Sequence, residues 1–336
     1  MNKYNCDGIV AQRNIAAGEH LFTETAFVWA RDSISGDENV QAALTAVTCE
    51  ECGVFNTSCE CESCGARYCS DACRNEAYAT HHLVLCSKNK AGNGAFMQQG
   101  GGHSTCALKV IAKIILHLQK RLQTISILHA TKEEVESSML QVVGYFFKPA
   151  FTKAIHAFRG GKTLSDDMFE AMFQASYFDG YLRDKFNSMQ SMFPVEVYGR
   201  VFVDTCLSEV FYDSLMGMFL VNNQRVCIEH EGHTLTGTAL YYTYCKTNHS
   251  CIPNMVVGPI AENALIGTSF TKVGIRVTAR TNIAMGDEIK NCYLSQGSGR
   301  GLTLHQRRTE LSQYLFECEC TLCEEEHALT FEDADY

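Results

Sequence analysis

Hydrophobic and polar positions alternate near the start of the chain, and this period of two predicts β-strands over residues 8 to 29. From Thr105 onward the apolar residues recur at three- and four-residue spacing, which predicts helix to about residue 221. Within that stretch we expect breaks at Pro149, Gly160-Gly161 and Pro194, because proline and glycine interrupt helices.

Strand-like patterns return in the last third of the chain. Thr238 to Tyr244 is rich in β-forming residues, and alternation is cleanest at Val273, Ile275 and Val277. The pattern over residues 305 to 315 predicts one more helix, and the acidic tail from Glu324 is expected to fray. Strand segments thus lie on both sides of a helical segment, which predicts the α+β class.

The composition predicts an ordered protein that holds metal. The chain has 336 residues, of which 46% are hydrophobic and 20% charged, enough for a substantial core. No run approaches the ~20 apolar residues of a membrane span, and the N-terminus has no apolar signal core. The 18 cysteines then indicate reduced thiols, so we expect an intracellular protein of the cytoplasm, the nucleus or both. A net charge of −10 argues against nucleic acid as a direct partner.

Residues 49 to 86 contain eight metal-binding side chains at regular spacing. Two C-x2-C pairs precede two pairs whose members lie four residues apart, so that each of these later pairs is expected to share a helix face. Such spacing predicts two structural zinc sites. His81 and Cys59 are competing ligands, but only His82 lies one helical turn before Cys86. The eight side chains are Cys49, Cys52, Cys61, Cys64, Cys69, Cys73, His82 and Cys86.

Another cluster, Cys318-x-Cys320-x2-Cys323, offers three ligands near the end of the chain. A tetrahedral zinc site needs a fourth ligand. The natural donor is Cys251, within the polar segment Asn248-His249-Ser250-Cys251. A zinc ion shared in this way would fold the C-terminus over that segment and build a pocket there.

The polar segment and the last cysteines resemble the SET domain with its post-SET zinc cluster, the fold of most protein lysine methyltransferases. The whole layout, over residues 5 to 323, resembles the SET-and-MYND-domain family, in which a MYND zinc finger and a helical insertion interrupt the SET domain. The resemblance implies a first SET part at 1–48, a MYND finger at 49–86, a linker and helical insertion at 87–210, a core SET part at 211–298, a post-SET part at 299–323 and an acidic tail at 324–336.

The family pattern further implies how the zinc ligands pair. One ion takes Cys49, Cys52, Cys69 and Cys73, and the other takes Cys61, Cys64, His82 and Cys86. With the C-terminal cluster, this makes three zinc ions per chain. The chain is similar to the shorter branch of this family, which has an acidic tail and lacks a C-terminal helical domain, so we expect an open substrate groove.

A cofactor site follows from the same resemblance. The segment around Cys6, Asp7 and Gly8 is similar to the first SET strand, whose backbone holds the methionine end of S-adenosylmethionine. Asn248 and His249 match the pair at the adenine and ribose edge.

Three aromatic residues complete the predicted pocket. Tyr293, in Gly286-Asp287-Glu288-Ile289-Lys290-Asn291-Cys292-Tyr293, falls on the catalytic tyrosine of the family. Phe316 resembles the aromatic residue that stacks on adenine, and Tyr241 falls on a lysine-channel aromatic. Alignment and a lysine stripped of its proton are what the reaction requires, and a dry aromatic channel disfavours the ammonium form.

The resemblance implies an S-adenosylmethionine-dependent protein-lysine N-methyltransferase that acts on histone or non-histone proteins. One departure is Gly217, which occupies the place of a cofactor-contacting asparagine, so either Asn222 or Asn223 substitutes or cofactor binding is weakened. The alternative is a catalytically weak adaptor whose finger binds proline-rich peptides. Because the finger has a complete set of ligands, it is expected to be separable from catalysis.

Overall fold

The structure, a computed structural model, describes residues 8–32, 46–86, 102–146, 183–230, 233–259, 273–314 and 316–332. Cys6 and Asp7 of the predicted cofactor segment lie outside the described residues, as do the breaks predicted at Pro149 and Gly160-Gly161. The described residues mix helices with small sheets, and the predicted α+β class is confirmed.

Most strands belong to three-stranded sheets with the orders β1-β11-β8, β2-β10-β9 and β3-β7-β6, while β4 and β5 form a hairpin within the finger. The strands are β1 (Ile9–Val10), β2 (His20–Thr25), β3 (Val28–Arg31), β4 (Cys59–Glu60), β5 (Arg67–Tyr68), β6 (Gln224–His230), β7 (His233–Leu240), β8 (Asn248–His249), β9 (Met255–Pro259), β10 (Gly274–Ala279) and β11 (Glu288–Asn291).

Helices form the middle and the end of the chain. The α-helices span Asp71–Ala77, Leu83–Leu85, Gly102–Leu122, Lys132–Val143, Arg183–Ser191, Val195–Tyr198, Arg200–Cys206, Glu209–Asn222, Leu304–Leu311 and Thr321–Glu332. A π-helical turn covers Tyr78–His82, and 3-10 turns cover Ile127–His129, Gly144–Phe146, Tyr244–Lys246 and Ser312–Tyr314. The break expected at Pro194 is present between two of these helices. None of the helices described is long and apolar enough to cross a bilayer.

The sheet β1-β11-β8 joins distant parts of the chain. Ile9 pairs with Ile289 in an antiparallel ladder. On the other side of β11, Asn291 pairs with His249 in a parallel ladder. The start of the chain, the polar segment and the strand before Tyr293 are therefore neighbours.

The sheet β3-β7-β6 carries Tyr241 at one end. Trp29 pairs with Ala239, and the Phe27 amide donates to the Leu240 carbonyl at 2.8 Å. Trp29, Ala239 and Tyr241 are buried in one hydrophobic cluster with β10, so the packing of β3 determines where Tyr241 lies.

A second hydrophobic cluster forms around the helix Gly102–Leu122. Two residues of the finger, Val84 and Leu85, are buried in that cluster. The expected separability of the finger therefore conflicts with the packing, because excision would remove core side chains of the neighbouring helices.

The C-terminal segment also differs from expectation. The tail expected to fray from Glu324 is helical as far as Glu332. One reason is an ion pair at 3.0 Å between Glu326 and Arg307, whose side chain is fully buried in the preceding helix Leu304–Leu311.

Candidate functional site

Twelve side chains converge in three groups of four. Within each group the sulfur and nitrogen atoms that can bind metal lie within 4.8 Å of one another. The first finger cluster is Cys49, Cys52, Cys69 and Cys73; the second finger cluster is Cys61, Cys64, His82 and Cys86; the C-terminal cluster is Cys251, Cys318, Cys320 and Cys323. These are the three groupings that the sequence predicts.

In the first finger cluster, the Cys69 sulfur lies 3.5 Å from that of Cys52 and 3.5 Å from that of Cys73. The expectation that Cys69 and Cys73 share a helix face is wrong. Ser70 caps the helix Asp71–Ala77 by accepting from the Cys73 amide, so Cys69 lies before the helix begins. The turn before the helix brings the two sulfurs together.

In the second finger cluster, His82 is the histidine that reaches the cysteines. Its Nε2 lies 3.5 Å from the Cys64 sulfur, and the Cys86 amide donates to the His82 carbonyl at 2.8 Å, as in a helical turn. His81 lies outside the cluster, with Nδ1 3.0 Å from the hydroxyl oxygen of Thr80.

In the C-terminal cluster, the Cys251 sulfur lies 3.8 Å from that of Cys318 and 3.6 Å from that of Cys323. The Arg307 guanidinium donates to Cys323 at 3.6 Å and to the Leu302 carbonyl at 2.5 Å. This fully buried cation is a member of the site that sequence reasoning missed, because charged residues are normally exposed.

The thiols of each cluster fit a divalent cation. A hydrogen bond with Cys318 raises the pKa of Cys251 far above its usual range, whereas one with Cys251 lowers the pKa of Cys320. Within the cluster, the thiolate of one cysteine is thus stabilised by hydrogen bonds from neighbouring thiols that must stay protonated. Zinc removes this constraint because it binds four thiolates or imidazoles at once, and all four positions are filled by protein. The clusters can therefore hold structural zinc.

Tyr293 and His249 are connected next to the C-terminal cluster. The Tyr293 amide donates to His249 Nδ1 at 2.9 Å, so the proton of the neutral ring lies on Nε2, which is 3.3 Å from the Cys251 sulfur. Burial lowers the pKa of His249 to about 4, which keeps the ring neutral near pH 7. The hydroxyl of Tyr293 donates to the Thr247 carbonyl at 2.6 Å.

Aromatic rings surround this pair. The centroid of the His249 ring lies 5.2 Å from that of Tyr293 and 5.8 Å from that of Phe316. Tyr314, which sequence reasoning did not select, packs on Tyr293 at 4.8 Å. Three of the predicted residues thus form one aromatic cluster over the C-terminal cysteines.

Gly8 and Asn248 meet at the carboxylate of Glu288. Asn248 Nδ2 donates to Glu288 Oε1 at 2.6 Å, which orients the amide plane of Asn248. A Cβ atom added at Gly8 would lie 2.0 Å from the same oxygen, so a larger residue here would have to displace the Glu288 side chain from Asn248. Lys290 pairs with the carboxylate at 3.4 Å. Glu288 is a further residue that the sequence analysis did not select.

Tyr241 lies apart from Tyr293, in the hydrophobic cluster of the β-sheets, where it is 1% exposed. Burial raises the pKa of its hydroxyl well above the usual value. Its ring stands edge-on to Tyr244 at 6.3 Å. The Tyr244 hydroxyl accepts from Asn291 at 2.5 Å, which links Tyr241 to the strand that leads to Tyr293.

The two asparagines proposed to replace the residue at Gly217 are both engaged elsewhere. Asn222 is buried and donates to the carbonyls of Phe146 and Met218 at 3.2 and 3.1 Å. Asn223 Nδ2 lies 2.6 Å from His103 Nε2. Both contacts join the helix Glu209–Asn222 to neighbouring helical segments, which is a structural role.

Comparison with known proteins finds relatives of one kind, although no family model matches the chain. Histone-lysine N-methyltransferase SET5 of Mycosarcoma maydis is 22% identical over 344 residues, covering 94% of this chain and 64% of the relative. Protein-lysine N-trimethyltransferase SMYD5 of Gallus gallus is 23% identical over 366 residues, covering 94% of this chain and 83% of the relative. Protein-lysine N-methyltransferase SMYD4 of Mus musculus is 36% identical over 89 residues, 26% of this chain and 10% of the relative. The chain spans slightly less than two thirds of the length of the SET5 relatives it matches.

Proposed function

The chain is a protein of the SET and MYND type related to SMYD5, and on that premise we propose that it is an S-adenosylmethionine-dependent protein-lysine N-methyltransferase. The observation that carries the proposal is the meeting of Gly8, Asn248, His249, Tyr293 and Phe316 around the sheet β1-β11-β8, beside the C-terminal cysteine cluster. We place its action inside the cell, in the cytoplasm or the nucleus, where thiols stay reduced.

The cofactor would supply an electrophilic methyl group that the lysine amine displaces in line. The backbone at Gly8 and the oriented amide of Asn248 would hold it, with Phe316 against the adenine. The residues fit the cofactor, because the Gly8 backbone and the Asn248 amide are polar groups for its amino-acid and ribose parts, and Phe316 offers an apolar ring for the adenine. We also propose that the chain is divided into SET, MYND, helical and post-SET parts at the boundaries that the resemblance implies.

Tyr293 would act on the lysine. The Tyr293 hydroxyl contacts the Thr247 carbonyl at 2.6 Å, so these two oxygens form a small polar site among aromatic rings. A neutral amine needs such a site for alignment, while the apolar surroundings disfavour its protonated form. Tyr241 would border the lysine from the β-sheet side. The substrate would be a histone or another protein with an accessible lysine.

The test separates cofactor binding from chemistry. Calorimetric titration with S-adenosylmethionine should show one site per chain, and a peptide-array methylation screen should identify substrates. We expect Tyr293→Phe to lower kcat on the order of 100-fold or more with near-normal cofactor affinity, because the lost interaction belongs mainly to the transition state. Tyr198→Phe, in the helical core, is the matched control and should leave kcat unchanged. Normal turnover in Tyr293→Phe would show that the catalytic tyrosine is wrongly assigned.

The adaptor function keeps one observation in its favour. Gly217 offers no side chain to the cofactor, and Asn222 and Asn223 bond elsewhere. A protein that binds proline-rich peptides through its finger but shows no heat with S-adenosylmethionine would favour the adaptor and exclude the enzyme.

A further inference from the structure

The turn between Cys49 and Cys52 carries two ligands of the first finger cluster and also contacts three segments outside the finger. Three successive backbone carbonyls of this turn accept hydrogen bonds from outside the finger. The donors come from three separate segments: Lys109 Nζ to Glu50 at 3.3 Å, Trp29 Nε1 to Glu51 at 2.8 Å, and the Val273 amide to Cys52 at 2.7 Å.

Lys109 gives this contact a buried charge. Its side chain is 3% exposed in the helix Gly102–Leu122, and Nζ also donates to the Trp29 carbonyl at 3.1 Å. The Glu50 carboxylate lies 3.8 Å away, and Nζ lies 5.7 Å from the centroid of the Trp29 ring. A buried ammonium is tolerated only when acceptors surround it. The finger supplies two of those acceptors, both from Glu50, so the charge favours the docked finger.

Two of the three donors belong to the core that contains Tyr241. Trp29 and Val273 are buried with Tyr241 in one hydrophobic cluster. Trp29 also pairs with Ala239, which lies two residues before Tyr241 on the same stretch of chain. A shift of the Cys49–Cys52 turn therefore acts on the strand pair that carries Tyr241.

We propose that the first finger cluster is a structural support of the methyl-transfer core and that Trp29 is a positioning residue which connects the two. Metal bound by Cys49 and Cys52 holds both ends of the turn, and thereby the carbonyls of Glu50, Glu51 and Cys52. Without metal the turn loses this constraint, and its hydrogen bonds weaken because they depend steeply on geometry. The effect on methyl transfer rests on the proposed function; the coupling between cluster and core does not.

Trp29 is the single tryptophan of the chain, so tryptophan fluorescence reports the surroundings of this one residue. We expect Cys73→Ser, which removes a ligand of the first cluster without touching Trp29, to lose one zinc. Its Trp29 emission should shift to longer wavelength, and acrylamide should quench that emission more strongly, since the residue is only 6% exposed when docked.

The matched control is Cys64→Ser, which removes a ligand of the second finger cluster. It should also lose one zinc but keep the Trp29 emission near that of the unmodified protein. Circular dichroism checks that both variants are folded. An unchanged emission in zinc-depleted Cys73→Ser, or an equal shift in Cys64→Ser, would overturn the proposal.

A second variant tests the consequence for catalysis. Trp29→Phe keeps an aromatic ring but removes the donor to the Glu51 carbonyl. We expect zinc content and cofactor affinity to stay normal while kcat falls about three- to tenfold, the range for loss of one hydrogen bond. A fall in cofactor affinity with unchanged kcat would contradict the positioning role. If the unmodified protein transfers no methyl group, the proposed function fails, and the fluorescence result still decides the coupling.

Discussion

Replacing Arg307 by methionine tests how far the C-terminal cluster depends on one buried cation. The side chain is fully buried, and it contacts the Cys323 sulfur, the Leu302 carbonyl and Glu326. Removing one partner of a buried ion pair costs about 3 to 5 kcal/mol. We take about 3 kcal/mol, because Glu326 is 35% exposed and can regain water.

For a chain of this size, each kcal/mol lowers the Tm by roughly 2 °C, so Arg307→Met should melt about 6 °C lower. Differential scanning fluorimetry measures this shift, and a colorimetric chelator measures zinc release, which should be faster in the variant. Arg308→Met is the matched control in the same helix. Its partner Glu317 is 74% exposed, so the exposed pair contributes at most about 1 kcal/mol.

The reasoning would be refuted by an Arg307→Met protein that melts with the unmodified protein and releases zinc at the same rate. A loss of equal size in Arg308→Met would also refute it, because the effect would then follow from charge on the helix rather than from burial.

Two further predictions concern the metal and the cofactor. Metal analysis should find three zinc ions per chain, and two or fewer would remove one cluster from the assignment. The Cys323→Ser variant should retain two zinc ions and lose cofactor binding, because its lost ligand belongs to the cluster of Cys251, which adjoins His249. Glu288→Ala should weaken S-adenosylmethionine binding about three- to tenfold, because the Asn248 amide loses its acceptor. Glu288→Gln keeps an acceptor and should bind the cofactor nearly normally. Equal affinities of the two variants in calorimetry would contradict this role of Glu288.

The sequence predicts which residues are ligands, because metal geometry requires particular residue types at particular spacings, and the resemblance to the MYND pattern implies how the finger ligands pair. It also predicts that Tyr293, His249 and Phe316 lie together, and their rings do. The helix boundary at Ser70 was predictable too, since serine is a preferred N-cap residue and the acidic Asp71 follows it in the first turn. The four-residue spacing of Cys69 and Cys73 predicted that both lie on one helix, whereas Cys69 lies before the helix begins.

Other features leave no trace in the order of residue types. The contact between the finger and the core is made by backbone carbonyls, which every residue has, so no pattern marks Glu50, Glu51 and Cys52 as acceptors. The burial of Arg307 reverses the usual behaviour of arginine. Both depend on which segments the fold brings together, and that information is non-local.

The sheet β1-β11-β8 has a consequence for biosynthesis. Ile9 cannot pair with Ile289 until residue 289 has left the ribosome, and Cys251 cannot contact Cys323 until residue 323 has left it. The finger ligands, by contrast, are all available once residue 86 has emerged. Closing a loop as long as the one between the first and last strands is slow compared with forming local contacts. During synthesis the ligands of both finger clusters are therefore complete before the sheet β1-β11-β8 can form, and a chain released before Cys318, Cys320 and Cys323 would lack the C-terminal cluster.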